Sequence, residues 1–360
     1  MSVTLMTKTL TRYGQVLVDE EKPMTDVFGT LGPGCSEEAI LSEMFASGMT
    51  GIRINLSHVM LRDCIEEIDK VKRAASANGI VPKILIDMQG PELRIGKLKE
   101  PIGLNEEDEL ILATEECVGI SGPGNKAVTL DHRILKALET GQDILLDDGR
   151  IAATVTETDD ESARTRVTRG GILNGRKSIA IVGKSVDMPA LTESDIENIK
   201  LACKSGIYGV MQPFVRSAGD LLDVRKALDN NGGKDIKIYA KIENLSGVEN
   251  LESFFDHADE MIIARGDLGN AVPLWELPGV QKDIARRCRT AGVPFMVVTQ
   301  MLSSMEHSKV PTRAEVSDIY NAVLDGASSV MVTGETAVGE YPADVIRYMR
   351  KTVEAAINNR

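Results

Sequence analysis

The feature that most constrains the fold of this 360-residue chain is a repeated alternation of a short β-branched run with an amphipathic helical stretch. The short runs end in Gly, Asn, Asp or Thr, as strands that lead into helices do. Repeated strand–helix units predict an α/β protein built as a closed parallel (β/α)8 barrel, a TIM barrel. We predict strands at 26–31, 51–57, 82–88, 206–213, 236–242, 260–265, 294–299 and 328–333, and helices at 37–48, 59–78, 192–204, 217–229, 274–291, 312–324 and 341–357.

The alternation stops after the third predicted strand, and residues 90–183 carry the signals of β-hairpins instead. Polar and apolar residues alternate over 150–169, as in solvated antiparallel strands. We therefore predict a small β-barrel domain inserted after strand 3 (the insertion, 90–183) in a barrel formed by 25–89 and 184–360. Residues 1–24 are expected to form an N-terminal arm. The turn signals are Asp147-Asp148-Gly149, Gly170-Gly171 and Asn174-Gly175.

The charge balance and the cysteines restrict the partners and the compartment. The chain has 41 Lys and Arg against 54 Asp and Glu, a net charge of −13, which argues against nucleic acid or an anionic membrane as a main partner. Its five cysteines are widely spaced and lack the spacing of a metal site. No apolar run is long enough to span a bilayer. We expect a cytoplasmic protein with reduced thiols.

Polar side chains collect where the predicted barrel strands end. In a parallel barrel these ends meet at one face, the mouth, where active sites are built. They are Arg53, Asn55, Ser57 and His58 after strand 2, Asp87, Gln89, Glu92 and Arg94 after strand 3, Lys241 and Glu243 after strand 5, Arg265, Gly266 and Asp267 after strand 6, Thr299 and Gln300 after strand 7, and Thr333 and Glu335 after strand 8.

Two of these acids, Glu243 and Asp267, follow neighbouring strands, which lie about 5 Å apart. Two carboxylates, with the other positions left to water and substrate, suit Mg²⁺ or Mn²⁺. Lys241 precedes Glu243 by two residues, so both side chains face the same side of the strand. Together with two arginines at the mouth, they predict an anion held on a metal, whose carboxylate could bind the backbone amides of Gly266 and Asp267.

Simpler interpretations exist for single residues. A Lys-x-Glu sequence is usually a solvated strand edge, and Arg265 next to Asp267 could form only a structural ion pair. Glu92 could serve only to pair with Arg94, and His58 could be a hydrogen-bonded residue behind the site. The coincidence of so many charged groups at the same end of so many strands outweighs these interpretations.

Nine segments, in this order and at this spacing, resemble the pyruvate kinase family over about residues 25–350. The combination is far more specific than any single short motif. The segments are 26–33 (DVFGTLGP), 47–58 (SGMTGIRINLSH), 87–96 (DMQGPELRIG), 241–244 (KIEN), 264–269 (ARGDLG), 298–305 (VTQMLSSM), 311–315 (PTRAE), 321–327 (NAVLDGA) and 333–342 (TGETAVGEYP).

The resemblance implies that Glu243 and Asp267 bind the catalytic Mg²⁺ or Mn²⁺, and that Lys241 stabilises the transferring phosphoryl group and the enolate. It also implies that the insertion is a mobile lid that excludes water from the site. The remaining implied roles are phosphate binding by Arg53 and Arg94, K⁺ binding by Asn55, Ser57, Asp87 and the backbone of Met88, enolate protonation near Thr299 with Thr333 and Glu335 behind it, and nucleotide contacts by Thr30, Pro33, His58 and Lys177.

The sequence departs from the family pattern at several positions. Met88 and Gln89 stand where the family has Thr-Lys, Asp63 stands where a tyrosine flanks the adenine, and Pro213 replaces a serine. The chain ends after the eighth barrel helix, so we expect it to lack the family's C-terminal effector domain and part of its subunit interface. A homo-oligomer, if formed, is expected to use the barrel.

The resemblance favours phosphoryl transfer between phosphoenolpyruvate and ADP, giving pyruvate and ATP through a metal-stabilised enolate. The alternative is a metal-dependent lyase, decarboxylase or aldolase that forms the same enolate without a nucleotide. Gln89 and Asp63, which replace the family's lysine and tyrosine, favour this alternative. A third class is a catalytically silent binding protein. The intact Lys241, Glu243, Asp267 and Thr299 argue against that class.

Overall fold

The computed structural model describes residues 25–57, 59–114, 126–147, 149–184 and 186–359. The N-terminal arm predicted for 1–24 lies outside these residues. In chain order the strands are β1 (Asp26–Thr30), β2 (Gly51–Asn55), β3 (Lys83–Asp87), β4 (Ile102–Leu104), β5 (Glu109–Ala113), β6 (Lys126–Thr129), β7 (Asp143–Leu146), β8 (Ile151–Thr158), β9 (Ser162–Arg169), β10 (Gly171–Leu173), β11 (Ile179–Ile181), β12 (Gly209–Gln212), β13 (Lys237–Ile242), β14 (Glu260–Ala264), β15 (Phe295–Val298) and β16 (Ser329–Met331).

The helices of the described residues connect the barrel strands and cover the outside of the barrel, apart from one short helix in the insertion. They are α1 (Glu38–Ala46), α2 (Ile65–Ala77), α3 (His132–Lys136), α4 (Glu193–Ser205), α5 (Ala218–Asn230), α6 (Leu245–Glu249), α7 (Arg265–Ala271), α8 (Leu277–Ala291), α9 (Arg313–Leu324), α10 (Gly334–Ala337) and α11 (Pro342–Asn358). Short 3-10 helices lie at Pro33–Cys35, Leu61–Cys64, Leu251–Phe254 and Ser303–Glu306.

Eight parallel strands close into a barrel in the order β1-β16-β15-β14-β13-β12-β3-β2. The seam between the first and last strands pairs Asp26 with Ser329 and Phe28 with Met331. This is the TIM barrel of the α/β class, as the sequence predicts. The order follows from the strand–helix alternation, because each right-handed crossover places the next strand beside the previous one.

The interior of the barrel is filled by its own apolar cluster, separate from the larger cluster between the strands and the surrounding helices. Residues alternate between the two clusters along each strand, as the two-residue period of a strand requires. On β2, for example, Ile52 and Ile54 belong to the outer cluster. The inner cluster consists of Phe28, Leu85, Met211, Tyr239, Ile262, Ala264, Met296, Val298 and Met331.

The helix boundaries follow local capping chemistry. The side chain of Thr192 accepts a hydrogen bond from the backbone of Asp195 at the start of α4, and Thr312 and Glu315 form the same capping box at α9. Gly206 and Gly292 end α4 and α8 in left-handed conformations. The helix predicted at 59–78 is a 3-10 turn followed by α2, and the short helices α6 and α7 were not predicted.

The insertion separates β3 from β12 along the chain, although these two strands pair directly in the barrel. Its described strands form a six-stranded sheet, β11-β7-β8-β9-β5-β6, and a separate two-stranded sheet, β10-β4. They enclose a second hydrophobic core that includes Leu112, Ile144 and Val167. The described part of the insertion is thus a mainly β domain, as the sequence predicts, in which β4 and β10 pair with each other beside the larger sheet.

Within the described residues, no helix combines the length and the apolar character that a membrane crossing requires.

Candidate active site

A cavity of about 600 Å³ opens at the mouth of the barrel (the mouth cavity). A smaller cavity of about 240 Å³ (the cleft) lies between the barrel and the insertion, and Asp267 lines both. Glu243 lines the cleft. The predicted residues that line the mouth cavity are Arg53, Asn55, Ser57, Asp87, Met88, Arg94, Lys241, Gly266, Asp267, Thr299 and Thr333.

Three charged side chains replace apolar ones at inward-facing positions of the barrel. Arg53 on β2, Asp87 on β3 and Lys241 on β13 occupy the alternating positions that fill the interior on the other strands. Arg53 donates to Oδ2 of Asp87 from Nε at 2.8 Å and from Nη2 at 2.6 Å. Nζ of Lys241 lies 3.2 Å from the same oxygen. The mouth therefore contains a buried carboxylate bridging two cations.

This network fixes the charges of its members. Burial alone would raise the pKa of Asp87, but Lys241 and Arg53 outweigh it and hold the pKa below its ordinary value. Burial likewise opposes the charged form of Lys241, yet Asp87 and Glu243 raise its pKa above the ordinary value. The surrounding carboxylates therefore favour the ammonium form of Lys241.

Glu243 follows β13 directly, and only 2% of its surface is exposed. Its Oε2 accepts the backbone N–H of Phe214 at 2.8 Å. Its Oε1 lies 2.9 Å from Nζ of Lys241 but receives no well-directed hydrogen bond. Burial, followed by the nearby carboxylates of Asp267 and Asp87, raises the pKa of Glu243 above its ordinary range despite Lys241.

An under-satisfied buried carboxylate beside a second acid fits a divalent cation. Glu243 and Asp267 supply two oxygen ligands, and a Mg²⁺ ion commonly takes one or two carboxylates and keeps water or substrate at its other positions. Among the described residues, no cluster of three or more His, Cys, Asp or Glu side chains could hold a metal. The two carboxylates of Glu243 and Asp267 suit Mg²⁺ or Mn²⁺.

The residues expected to bind K⁺ also line the mouth cavity. Oδ1 of Asn55 accepts the backbone N–H and the hydroxyl of Ser57, at 3.1 and 2.9 Å, in a tight turn after β2. Among the described residues, Oδ1 of Asp87 makes only a 3.3 Å contact with Lys241, so it retains accepting capacity. Oxygen donors with a single carboxylate fit a large alkali cation.

Arg94 is paired inside the site. It donates to Oε2 of Glu92 from Nε at 3.1 Å and from Nη2 at 2.7 Å, and to the backbone carbonyl of Arg176 from Nη1 at 2.7 Å. Burial raises the pKa of Glu92, and Arg94 only partly offsets this. The pairing of Glu92 with Arg94 is thus present, and it joins the start of the insertion to Arg176 near its end.

The turn after β15 places Thr299 in the mouth cavity. Thr299 and Gln300 both have left-handed backbone conformations, with φ of 77° and 54°. Such conformations are unfavourable for residues with a side chain and are common in active sites. A Cβ at Gly266 would lie 3.1 Å from Cγ2 of Thr299. Glycine at 266 therefore permits the close approach of α7 to this turn.

Glu335 is fully engaged with backbone groups behind Thr333. Its Oε1 accepts the N–H of Leu302 at 3.0 Å, and its Oε2 accepts the N–H of Thr333 at 2.7 Å and the Thr333 hydroxyl at 3.3 Å. The residue is 1% exposed and does not line the mouth cavity. The geometry gives Glu335 a role in fixing the loops after β15 and β16.

The residues expected to contact a nucleotide are spread over the structure. Thr30 is buried, and its hydroxyl donates to the carbonyl of Val332 at 2.9 Å. Pro33 is exposed on a 3-10 helix. Lys177 pairs with Asp147 of the insertion at 2.6 Å. His58 lies outside the described residues. The nucleotide contacts of all four stay predictions.

A third cavity, of about 450 Å³ (the side cavity), lies next to the mouth cavity. Asp63, Gln89 and Arg176 line it, so both substituted positions share this space. The amide of Gln89 donates to the carbonyl of Leu56 at 3.2 Å. A neutral, backbone-bound amide therefore replaces the lysine of the family pattern.

Two features of the site escaped sequence interpretation. Phe214, whose backbone N–H donates to Glu243, has a left-handed backbone conformation with φ of 52°. No local sequence motif predicts this conformation. Asp195 accepts hydrogen bonds from the N–H groups of Gln89 and Gly90 and from the N–H and hydroxyl of Thr192. Its capping-box pattern with Thr192 was a usable signal for α4, but nothing in the sequence indicated the link to the loop after β3.

Comparisons with known proteins show which family the chain is similar to. Residues 22–346 match the family model described as "Pyruvate kinase, barrel domain". The chain is similar to a pyruvate kinase of Bacillus licheniformis, 34% identical over 342 residues, covering 93% of this chain and 58% of that protein. It is 36% identical over 345 residues to a pyruvate kinase of Sporosarcina psychrophila, covering 93% and 58%. It is 36% identical over 339 residues to a pyruvate kinase of Schizosaccharomyces pombe, covering 92% and 66%.

The chain thus spans less than two thirds of the length of these relatives. The match includes the strands that carry Arg53, Asp87, Lys241, Glu243 and Thr299 and runs through the insertion. The family model covers most of the sequence, and the chain folds into a closed eight-stranded barrel. The chain therefore belongs to the pyruvate kinase family.

Proposed function

We propose that the protein catalyses phosphoryl transfer between phosphoenolpyruvate and ADP, giving pyruvate and ATP. The observation that carries the proposal is the position of Lys241, whose ammonium lies between Asp87 and Glu243 at the mouth. A fixed cation beside an under-satisfied carboxylate suits a reaction in which negative charge moves between oxygens. The relatives named pyruvate kinase support the same activity.

The residues of the chain divide the work as follows. Lys241 stabilises charge on the transferring phosphoryl group and on the enolate, and Arg53 and Arg94 hold phosphate oxygens by exchanging part of their internal pairing for the substrate. Glu243 and Asp267 would hold a Mg²⁺ or Mn²⁺ ion, which supplies Lewis-acid stabilisation of the enolate oxygen when bound.

The binding of the substrate carboxylate and of K⁺ is proposed on the same basis. Gly266 and Asp267 lie in the first turn of α7, directly after β14, and backbone amides at the start of a helix favour anions. Asn55, Ser57, Asp87 and the backbone of Met88 would hold K⁺. Thr299 lies near the methylene carbon of the enolate, with Thr333 and Glu335 behind it.

We further propose a division into a barrel (25–89 and 184–360), an N-terminal arm (1–24) and a mobile lid formed by the insertion (90–183). The cleft between barrel and insertion supports this division, because closing it would remove water from Glu243 and Asp267. The described cysteines Cys35, Cys64, Cys203 and Cys288 are free thiols, which is consistent with a cytoplasmic setting.

A lyase, decarboxylase or aldolase acting through the same enolate is the second candidate. The side cavity favours it, since Gln89 stands there where the family pattern has a lysine and Asp63 where it has a tyrosine, which leaves Arg94 and Arg176 as the cations of this cavity. The catalytic groups around Lys241 would serve both reactions equally.

The deciding experiment measures pyruvate formation from phosphoenolpyruvate with Mg²⁺ and K⁺, with and without ADP and other nucleoside diphosphates. Stoichiometric ATP and pyruvate, dependent on ADP, support the kinase. No turnover with any nucleoside diphosphate, together with solvent exchange of the methyl protons of pyruvate, would instead establish an enolate chemistry without nucleotide.

A further inference from the structure

The turn after β15 holds two consecutive residues in conformations that residues with a side chain avoid. Thr299 and Gln300 have φ of 77° and 54°. Neither residue is glycine or asparagine, the types that adopt this conformation at little cost. A strained turn persists only when surrounding contacts hold it. The contacts that hold this one can be identified.

Arg265, the first residue of α7, donates hydrogen bonds to the backbone of this turn. Its Nη2 donates to the carbonyl of Thr299 at 2.6 Å, and its Nε reaches the same carbonyl at 3.2 Å and that of Val298 at 3.3 Å. Nη2 also lies 2.9 Å from Sδ of Met301. One guanidinium therefore contacts the chain on both sides of the strained pair.

The other side of the guanidinium is fixed by the outer helices. Nη1 donates to Oδ2 of Asp318 on α9 at 2.7 Å and to Oε1 of Gln281 on α8 at 3.4 Å. The side chain of Arg265 is only 12% exposed. A planar, buried guanidinium with a carboxylate on one edge and a carbonyl on the other has little freedom to move.

The turn and α7 also touch through side chain and backbone. Cγ2 of Thr299 would lie 3.1 Å from a Cβ at Gly266, the residue that follows Arg265. Thr299, Gly266 and Asp267 line the same cavity. Relaxation of the turn would therefore move the Thr299 hydroxyl relative to Asp267 without removing any group that binds substrate.

We propose that Arg265 is a positioning residue, which sustains the left-handed turn and thereby sets the place of the Thr299 hydroxyl in the mouth cavity, with Asp318 orienting its guanidinium. This role goes beyond the simple Arg265–Asp267 ion pair considered from the sequence. The consequence for turnover rests on the proposed function, whereas the structural part stands without it.

The structural part is tested by a thermal-unfolding cycle. Gln300→Gly removes the cost of the left-handed conformation at that position, so it should raise the melting temperature more in the wild type, where Arg265 sustains that conformation, than in Arg265→Gln, where the turn can relax. A non-additive cycle of this sign supports the proposal. Strictly additive effects of the two changes would overturn it, and this holds whether or not the protein turns over any substrate.

The functional part is tested by kinetics of pyruvate formation. Arg265→Gln should lower kcat by about 100-fold, the cost of displacing a group by roughly 1 Å, with the KM for phosphoenolpyruvate within about threefold of wild type. Arg265→Lys should recover only part of this, because one ammonium cannot span Asp318 and the Thr299 carbonyl. Asp318→Asn, at a partly exposed side chain that should not disturb folding, should shift kcat in the same direction by a smaller factor.

Arg287→Gln is the matched control. Arg287 also joins a carboxylate to a carbonyl, with Nε 2.6 Å from Glu252 and Nη1 2.7 Å from the carbonyl of Val248, but it lines none of the three cavities. It should lose stability with kcat unchanged. Equal loss of kcat in Arg287→Gln, or an Arg265→Gln enzyme with normal kcat, would overturn the proposal. A wild type without pyruvate formation would instead refute the proposed function and leave the thermal cycle as the test.

Discussion

Nζ of Lys241 lies 2.9 Å from Oε1 of Glu243, in the interior of the barrel mouth. The same ammonium compensates Asp87, so its removal leaves two buried acids with less positive charge. We expect Lys241→Met to lower kcat by about 100- to 1,000-fold while the KM for phosphoenolpyruvate changes little, because the charge is needed most in the transition state. Steady-state kinetics at saturating Mg²⁺ measure this. A raised KM with unchanged kcat would show that Lys241 only binds substrate.

The two-carboxylate site predicts a specific loss of metal affinity. Glu243→Gln and Asp267→Asn each remove one charge from the proposed site and should nearly abolish activity while the circular dichroism spectrum stays unchanged. Mn²⁺ binding, followed by electron paramagnetic resonance, should weaken in both variants. Glu249→Gln is the control, because Glu249 also lines the cleft but is exposed and is not a proposed ligand. Near-normal turnover of either variant at ordinary Mg²⁺ would contradict the assignment.

Arg94 separates the two candidate reactions. Its guanidinium lies between Glu92 and the carbonyl of Arg176, at the edge of the mouth. It is expected to bind phosphate and not the pyruvate moiety. Arg94→Ala should therefore reduce phosphoryl transfer by about 100-fold and leave proton exchange at the methyl group of pyruvate nearly unchanged. Equal damage to both reactions would remove the distinction.

A requirement for K⁺ is expected from Glu92 and from the oxygen ligands around Asp87. In the family that the sequence resembles, members that need K⁺ carry a glutamate at this position, and members that do not carry a lysine. Activity in Mg²⁺ with a bulky organic cation should rise severalfold when K⁺ is added at matched ionic strength. Glu92→Lys should lose this stimulation. The prediction fails if added K⁺ leaves the activity of the wild type unchanged.

Glu260, which lies far from the mouth, makes the stability of the protein depend on pH. It begins β14, is 9% exposed, and accepts hydrogen bonds from the hydroxyls of Ser328 and Ser329. Burial raises its pKa to about 7, and the two serines only partly offset this. The contribution of the protonated carboxyl to stability is complete below the unfolded pKa and is lost as the pH rises through about 7.

We therefore expect Glu260→Gln to stabilise the protein relative to wild type at pH 8, by up to about 3 kcal/mol at roughly 1.4 kcal/mol per pKa unit. At pH 5 most of this advantage should disappear. Urea unfolding of both proteins at the two pH values measures the difference. Identical pH dependence in the two proteins would show that Glu260 does not ionise within this range.

The sequence predicted what local patterns control. The alternation of strand and helix indicated the barrel, and the hairpin signals indicated the insertion. The two-residue period of strands placed Lys241 and Glu243 on one side. The sequence did not predict that Thr30 is buried and donates a hydrogen bond to the carbonyl of Val332, because that contact depends on which strands close the barrel.

The strained turn at Thr299 and Gln300 was beyond local interpretation for a related reason. Neither residue signals a left-handed conformation, and the group that holds them belongs to another strand–helix unit. Arg265 lies 34 positions before Thr299 and 53 before Asp318. Long-range contacts of this kind are specified by the assembled fold and leave no periodic trace in the sequence.

The seam between β1 and β16 has a consequence for the synthesis of the chain. The hydroxyl of Thr30 donates to a carbonyl 302 positions later, and strand pairing begins with Asp26 and Ser329. A ribosome must therefore release the chain through Met331 before the last ladder of the barrel can form. The described strands of the insertion lie between Ile102 and Ile181, so they are available to one another much earlier. During synthesis, the insertion can be complete while the barrel that carries it is still an open sheet.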